Sequence, residues 1–354
     1  MTSYQLGTSI ALTIASLAAC TKDTRPSEAH PSSSTDLTND ASAPIALGDD
    51  GGDPRGRASA DAAIEPVVAS VPESEAASAL FPSNAPQDCN DPGRVTCLIG
   101  RLYATDPAAR DLALDMYRDS GDVAGLERPF TMNGGFRGQI QIVPELPVGK
   151  YRDRLAWVAS SVHDFDEFFR DLRAAAGADA GTPHYRWRAL TVKFFRSVNR
   201  TTPSAFASPW TFSFNVEGSL LRTETGVRET LFHEIFHMDD FDHGNCSPIH
   251  FSAYYDAILK KCGPKIACLD PYAPNDTRVI GGTYYAFQQE NGVPVHEYAA
   301  ELALRYYKEH RAFLHHEKPP FPKAFKCGPP ENARSWNAIV AEFFGGIDLI
   351  PACP

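Results

Sequence analysis

The stretch that decides the reading is Val227-Arg228-Glu229-Thr230-Leu231-Phe232-His233-Glu234-Ile235-Phe236-His237-Met238-Asp239-Asp240. It holds no proline and no glycine, so nothing within it breaks a helix. Wound as an α-helix, it puts Val227, Leu231, Ile235 and Met238 in one apolar stripe, which Phe232 and Phe236 widen. His233, His237 and Asp240 share the remaining side. Residues four apart stack on one face, so both imidazoles can reach a single metal ion. Glu234 stands beside that ion, where its carboxylate can take a proton from a water. Burying two imidazoles and a carboxylate on a largely apolar helix is costly without a shared partner, and a metal ion supplies one.

His-Glu-x-x-His on a helix is the zincin arrangement of zinc hydrolases, most often metallopeptidases. Catalytic zinc needs a third protein ligand, and the sequence offers several. His243 completes the metzincin spacing HExxHxxGxxH, with Asp240 where that pattern has the glycine that makes its sharp turn. Metzincins also carry a methionine turn after the motif, whereas the four methionines here are Met1, Met116, Met132 and Met238. Glu297 and Glu301 are the other candidates. Val295 to Tyr307 reads as a helix following Pro294, and the two glutamates share one of its faces. One of them can bind the metal while the other orients a ligand histidine. Gly282-Thr283-Tyr284-Tyr285 half-matches an aspzincin pattern, but Ala286 stands where the ligand aspartate belongs.

Taken in order, the chain has His233-Glu234-x-x-His237, a spacer, Tyr284-Tyr285, then Glu297-Tyr298-Ala299-Ala300-Glu301. In this it resembles the gluzincins, and most closely the catalytic domain of anthrax lethal factor and its relatives, over roughly residues 227–312. The resemblance implies zinc held by His233, His237 and Glu297. It implies Glu234 as general base and a tyrosine hydroxyl, Tyr285 or Tyr284, stabilising the oxyanion. The fold it implies is a zincin-like α+β domain: a small mixed sheet, the HExxH helix and a C-terminal helical part. The activity it implies is zinc-dependent endopeptidase action on a peptide or protein. The alternatives are a metzincin-like peptidase using His243, a catalytically inactive zincin-fold surface lipoprotein serving as a binding module, and an effector acting on one specific protein.

Residues 6–19 form an apolar run of signal-peptide length that closes on Leu17-Ala18-Ala19-Cys20, which resembles a bacterial lipobox. That likeness implies removal of residues 1–19, a lipid anchor on Cys20, and export to the cell envelope as an outer-membrane lipoprotein or secreted protein. No Lys or Arg precedes the run. Residues 20–87 are rich in Ala, Ser, Pro and Asp and poor in large apolar side chains, a disordered tether by composition. Its reach would be on the order of 45 Å. Residues 88–354 then form the catalytic domain, with strands and helices over 98–217 and the metal site over 227–312.

Of the eight cysteines, seven follow Cys20. In an exported protein they read as disulfides: Cys89–Cys97, Cys262–Cys268 and Cys327–Cys353, with Cys246 left unpaired. Lys and Arg total 33 against 44 acidic residues, a net charge of −11, which argues against a nucleic-acid partner. Within the domain, Asp106–Ser120 reads as a helix, Gly138–Pro144 as a strand, Lys150–Ala175 as one or two helices, and Trp187–Val198 and Trp210–Val216 as strands. Trp210–Val216 is the candidate edge strand for pairing with an extended peptide. His163, His184, His250, His296, His310, His315 and His316 show no ligand spacing, and Asp240 is the aspartate best placed to orient a ligand imidazole.

Overall fold

The computed structural model describes residues 69–354 except 91, 134–137, 220, 280–281 and 289–292. The signal-peptide reading, Cys20 and most of the tether lie outside the described residues. Helices α1 (Glu73–Leu80), α2 (Arg94–Leu102) and α3 (Pro107–Ser120) come first, then strands β1 (Val123–Leu126), β2 (Phe130–Asn133) and β3 (Gln139–Pro144). A long α4 (Arg152–Ala176) leads to β4 (Thr191–Ser197), β5 (Ala205–Ser208) and β6 (Thr211–Asn215). The remainder is helical: α5 (Glu224–Asp242), α6 (Cys246–Cys262), a single turn α7 (Ile266–Leu269), α8 (Pro294–Leu314) and α9 (Pro330–Phe343). The domain is α+β, with a mixed sheet followed by helices.

Local chemistry explains several of these boundaries. The Asp106 carboxylate accepts the Ala109 N–H at 3.2 Å, Pro107 opens α3, and Gly121 closes it at φ 72°. Residues 152–176 run as one helix because no glycine or proline interrupts them. The tether reading ended too late: α1 lies inside it, with Ala76, Ala77, Ala79 and Leu80 buried. Its alanines are small enough for the helix backbone to press directly on β1, so few large apolar residues are needed. At Gly125 of β1 a Cβ would stand 2.3 Å from the Ala79 carbonyl oxygen.

The sheet runs β2-β3-β4-β6-β5, and β1 also pairs with β4. β1 and β6 lie parallel to β4, while β2–β3, β3–β4 and β5–β6 are antiparallel. The edge assignment is therefore corrected: β6 sits between β4 and β5, and the edge falls to β5. All of β6 is buried. Phe212 and Phe214 enter the main core, whereas Ser213 donates to Glu127 at 2.7 Å and Asn215 to the Pro203 carbonyl at 2.9 Å. Satisfied polar groups let a strand with one polar face be buried on both sides.

Alternation along β4 sends Phe194 into the main core and Phe195 to the opposite face. There the sheet curls. Phe130 of β2 and Phe206 of β5 meet edge-to-face at 6.0 Å, enclosing a small second core of Ile140, Ile142 and Phe195.

Disulfides join Cys89–Cys97, Cys262–Cys268 and Cys327–Cys353, the pairs read from spacing. Cys246 is also disulfide-bonded, which corrects its reading as an unpaired thiol. Among the described residues no helix is long and apolar enough to cross a membrane.

The contact at Gly125 is testable. Gly125→Ala forces backbone atoms apart and is expected to destabilise by about 1–3 kcal/mol. Gly100→Ala, inside α2 with nothing within 4 Å of its new Cβ, should instead gain about 0.5–1 kcal/mol. Urea denaturation midpoints of the two variants should move in opposite directions.

Candidate metal centre

Helix α5 begins three residues earlier than its apolar pattern, because the Thr223 hydroxyl accepts the Gly226 N–H at 3.1 Å and caps the first turn. Its stripe of Val227, Leu231, Ile235 and Met238 is buried, as are Phe232, Phe236, His233, Glu234 and His237. Helix α8 opens with Pro294 and packs on both α5 and α6. Fully buried Ala299, Ala300 and Ala303 allow the backbones to approach closely. That approach carries Glu297, in the first turn of α8, to the histidine face of α5.

Three donor atoms converge there. His237 Nε2 is 3.0 Å from His233 Nε2, Glu297 Oε2 is 3.1 Å from His233 Nε2, and Glu297 Oε2 is 3.5 Å from His237 Nε2. A tetrahedral ion with bonds of about 2.0–2.1 Å sets its ligand atoms about 3.3 Å apart, which these spacings bracket. The residues present therefore fit a metal ion, and the set His233, His237 and Glu297 is geometrically able to hold one. The geometry alone does not choose the element.

The surroundings prepare the same atoms. Glu301, one turn beyond Glu297, places Oε1 3.3 Å from His233 Nδ1. This directs the ring proton to Nδ1 and leaves the Nε2 lone pair facing the site. Asn275 holds Glu301 in turn, its Nδ2 donating to Oε2 at 2.9 Å and to the Glu301 carbonyl at 2.8 Å. Sequence reasoning missed Asn275, since a lone loop asparagine carries no spacing signal.

Charge is also poised for a cation. Burial opposes charging of His233, but its hydrogen bonds to Glu297 and Glu301 outweigh this and push the imidazole up to about 10. Burial would raise Glu297, yet the His237 and His233 rings hold it well below the usual carboxylate range. In the metal-free fold a proton takes the place a cation could fill.

The two tyrosines separate cleanly. Tyr285 has its ring 5.7 Å from that of His233, and burial, then the charges of Glu297 and Glu234, push its phenol well above the ordinary value. It also hydrogen-bonds Glu297. Tyr284 is turned away, donating to Asp270 and accepting from Arg278 at 2.8 Å. Glu234, Tyr285 and the three donor groups thus share one site.

Other candidates fall elsewhere. His243 does not join the α5 pair: its Nε2 lies 3.0 Å from Glu342 Oε1 on α9. Asp240 does not orient a ligand imidazole either. One oxygen lies 3.0 Å from His296 Nδ1, and the other accepts the Ser247 N–H at 2.9 Å, capping α6. A helix end followed at once by a new helix leaves N–H groups in need of an acceptor, and Asp240 supplies one.

At the far end of the two helices, Asp164 of α4 ties them together. It accepts from Tyr307 and pairs with Arg311 at 3.0 Å, both on α8, and faces Arg228 of α5 at 3.8 Å. Phe232 stacks on Tyr307 at 4.5 Å beside it.

No family model matches the chain, and neither a curated protein nor a solved structure matches it.

The charge balance predicts a pH dependence for metal-stripped protein. His233 is raised in the fold, so its pairing with Glu297 contributes fully below the unfolded imidazole value of about 6.5. That contribution is lost as pH rises toward 10. The thermal midpoint of chelator-treated protein should therefore fall between about pH 6.5 and 10 more steeply than that of Glu297→Gln, in which the pairing is absent.

Proposed function

We propose that this chain is a zinc-dependent endopeptidase of the gluzincin type, resembling the catalytic domain of lethal factor and its relatives. In this reading it is exported to the bacterial cell envelope and acts on a peptide or protein. The observation that carries it is the meeting of His233 and His237 with Glu297 from a separate helix, with Tyr285 beside them and within reach of the Glu234 charge. His233, His237 and Glu297 would hold the ion. When bound, zinc supplies Lewis-acid activation of water and of the scissile carbonyl while keeping one position open.

The chain's own groups do the rest. Glu234, buried beside the histidines, takes a proton from the attacking water as its oxygen bonds to the carbonyl carbon. It returns that proton to the amine as the C–N bond breaks. Tyr285 remains a phenol at neutral pH, because its neighbours disfavour ionisation, and it can donate to the oxygen that gains charge. Glu301, held by Asn275, keeps the His233 ring aligned.

Cleavage of an unstructured peptide library, with and without chelator, tests the reading. Glu234→Gln should retain bound zinc and lose about 10²–10⁴-fold in kcat; full residual activity overturns the mechanism. Tyr285→Phe should lower kcat by about 10²-fold with metal content unchanged.

A further inference from the structure

Four of the five groups at the proposed centre stand on helices, but Tyr285 opens a single 3₁₀ turn, Tyr285–Phe287, in the stretch between α7 and α8. A side chain on a loop holds its position less closely than one on a helix, and a misplacement of about 1 Å at a reacting group costs on the order of 100-fold in rate. Something must therefore fix Tyr285. What precedes it is a narrow hairpin. The Tyr285 N–H donates to the Thr277 carbonyl at 2.9 Å, Arg278 and Tyr284 face each other as an antiparallel bridge, and the Val279 N–H donates to the Thr283 carbonyl at 3.0 Å.

The backbone at Tyr284 is extended, with φ −68° and ψ 140°, and such backbone sends successive side chains to opposite sides. The side that Tyr284 takes thus decides the side that Tyr285 takes. Tyr284 is buried, its hydroxyl donates to Asp270, and Arg278 both donates to that hydroxyl at 2.8 Å and lies over the ring at 4.3 Å. Asp270 has firm support, since Leu269 and Tyr272 are buried and the Cys262–Cys268 disulfide closes just before it. Past the turn, the Phe287 N–H donates to the Tyr284 carbonyl at 3.0 Å, and the Phe287 ring packs against Tyr255 and Tyr298. With Tyr284 drawn to Asp270 and Phe287 drawn into the core, the Tyr285 ring is turned to His233, 5.7 Å away.

We propose that Tyr284, clasped by Arg278 and Asp270, is the positioning residue that delivers the Tyr285 phenol to the His233–His237–Glu297 centre. Its effect on hydrolysis rests on the peptidase reading above, whereas the placement of Tyr285 does not and is measurable without a substrate. The clasp lies at the surface, with the side chains of Arg278 and Asp270 45% and 66% exposed, so it can be cut without opening the core. Tyr284→Phe removes only the clasped hydroxyl, and Arg278→Met only the guanidinium that holds it.

Fluorine NMR of the whole chain, metal-free and labelled with 3-fluorotyrosine, tests the placement, the Tyr285 resonance being the one lost in Tyr285→Phe. Because Tyr285 hydrogen-bonds Glu297, Glu297→Gln should move this resonance in wild type. In Tyr284→Phe and in Arg278→Met the resonance should shift toward its position in unfolded protein, and Glu297→Gln should no longer move it. Circular dichroism checks that both variants stay folded. A Tyr285 resonance unchanged in both overturns the proposal. Kinetics of the zinc-loaded protein form the second arm. Tyr284→Phe should lower kcat about 10-fold with KM and zinc content unchanged, but by less than about twofold in a Tyr285→Phe background. Equal losses in the two backgrounds overturn the proposal, because a purely structural role does not depend on the Tyr285 hydroxyl. A wild type that cleaves no peptide, yet whose Tyr285 resonance moves in the variants, counts against the peptidase reading and upholds the placement.

Discussion

Two imidazole lone pairs and a carboxylate oxygen cannot rest within 3.5 Å of each other in a buried place without something positive between them. That requirement governs the domain. His233 and His237 are fixed by a single helix, but the carboxylate lies 64 residues after His233, so the C-terminal half must bring α8 against α5. The alanines of α8 make the approach possible, and Asn275 and Glu301 keep the first histidine turned correctly. The rest of the architecture serves as a frame for this meeting.

The sheet contributes from a distance. β4 divides its phenylalanines between two faces, and the larger face supports the helices that carry the site. Because the sheet curls on itself, its outer face needs only a small cluster of apolar residues to be covered. The aromatic rings of the main core, among them Phe165, Phe232 and Tyr307, are left for the packing of α4, α5 and α8.

Much of the site was legible in the sequence because it is encoded by local spacing. The pair His233 and His237 follows from helical period, and Glu297 and Glu301 repeat the same four-residue step. Glycine and proline punctuation set the limits of α3 and the start of α8. The remainder depended on tertiary placement that no local pattern carries. The aromatic alternation in Thr211–Asn215 is the same for an inner strand as for an edge, and only pairing with β5 distinguishes them. Helix α1 was hidden by its alanines, which count little as apolar residues yet pack closely. Glu342 stands far from His243 in the chain, so their pairing had no signature. Asp240 was drawn to the cap of α6 and to His296, away from His233 and His237.

Asp164 has a consequence of its own. It knots α4, α5 and α8 at Tyr307 and Arg311, ten and fourteen residues from Glu297 and so about 15–21 Å along the helix. The helices that carry the two histidines and Glu297 are therefore joined a second time, through Arg228 on α5 and through Tyr307 and Arg311 on α8. A change at Asp164 therefore reaches both helices that carry the donor atoms through contacts that include none of the three donors.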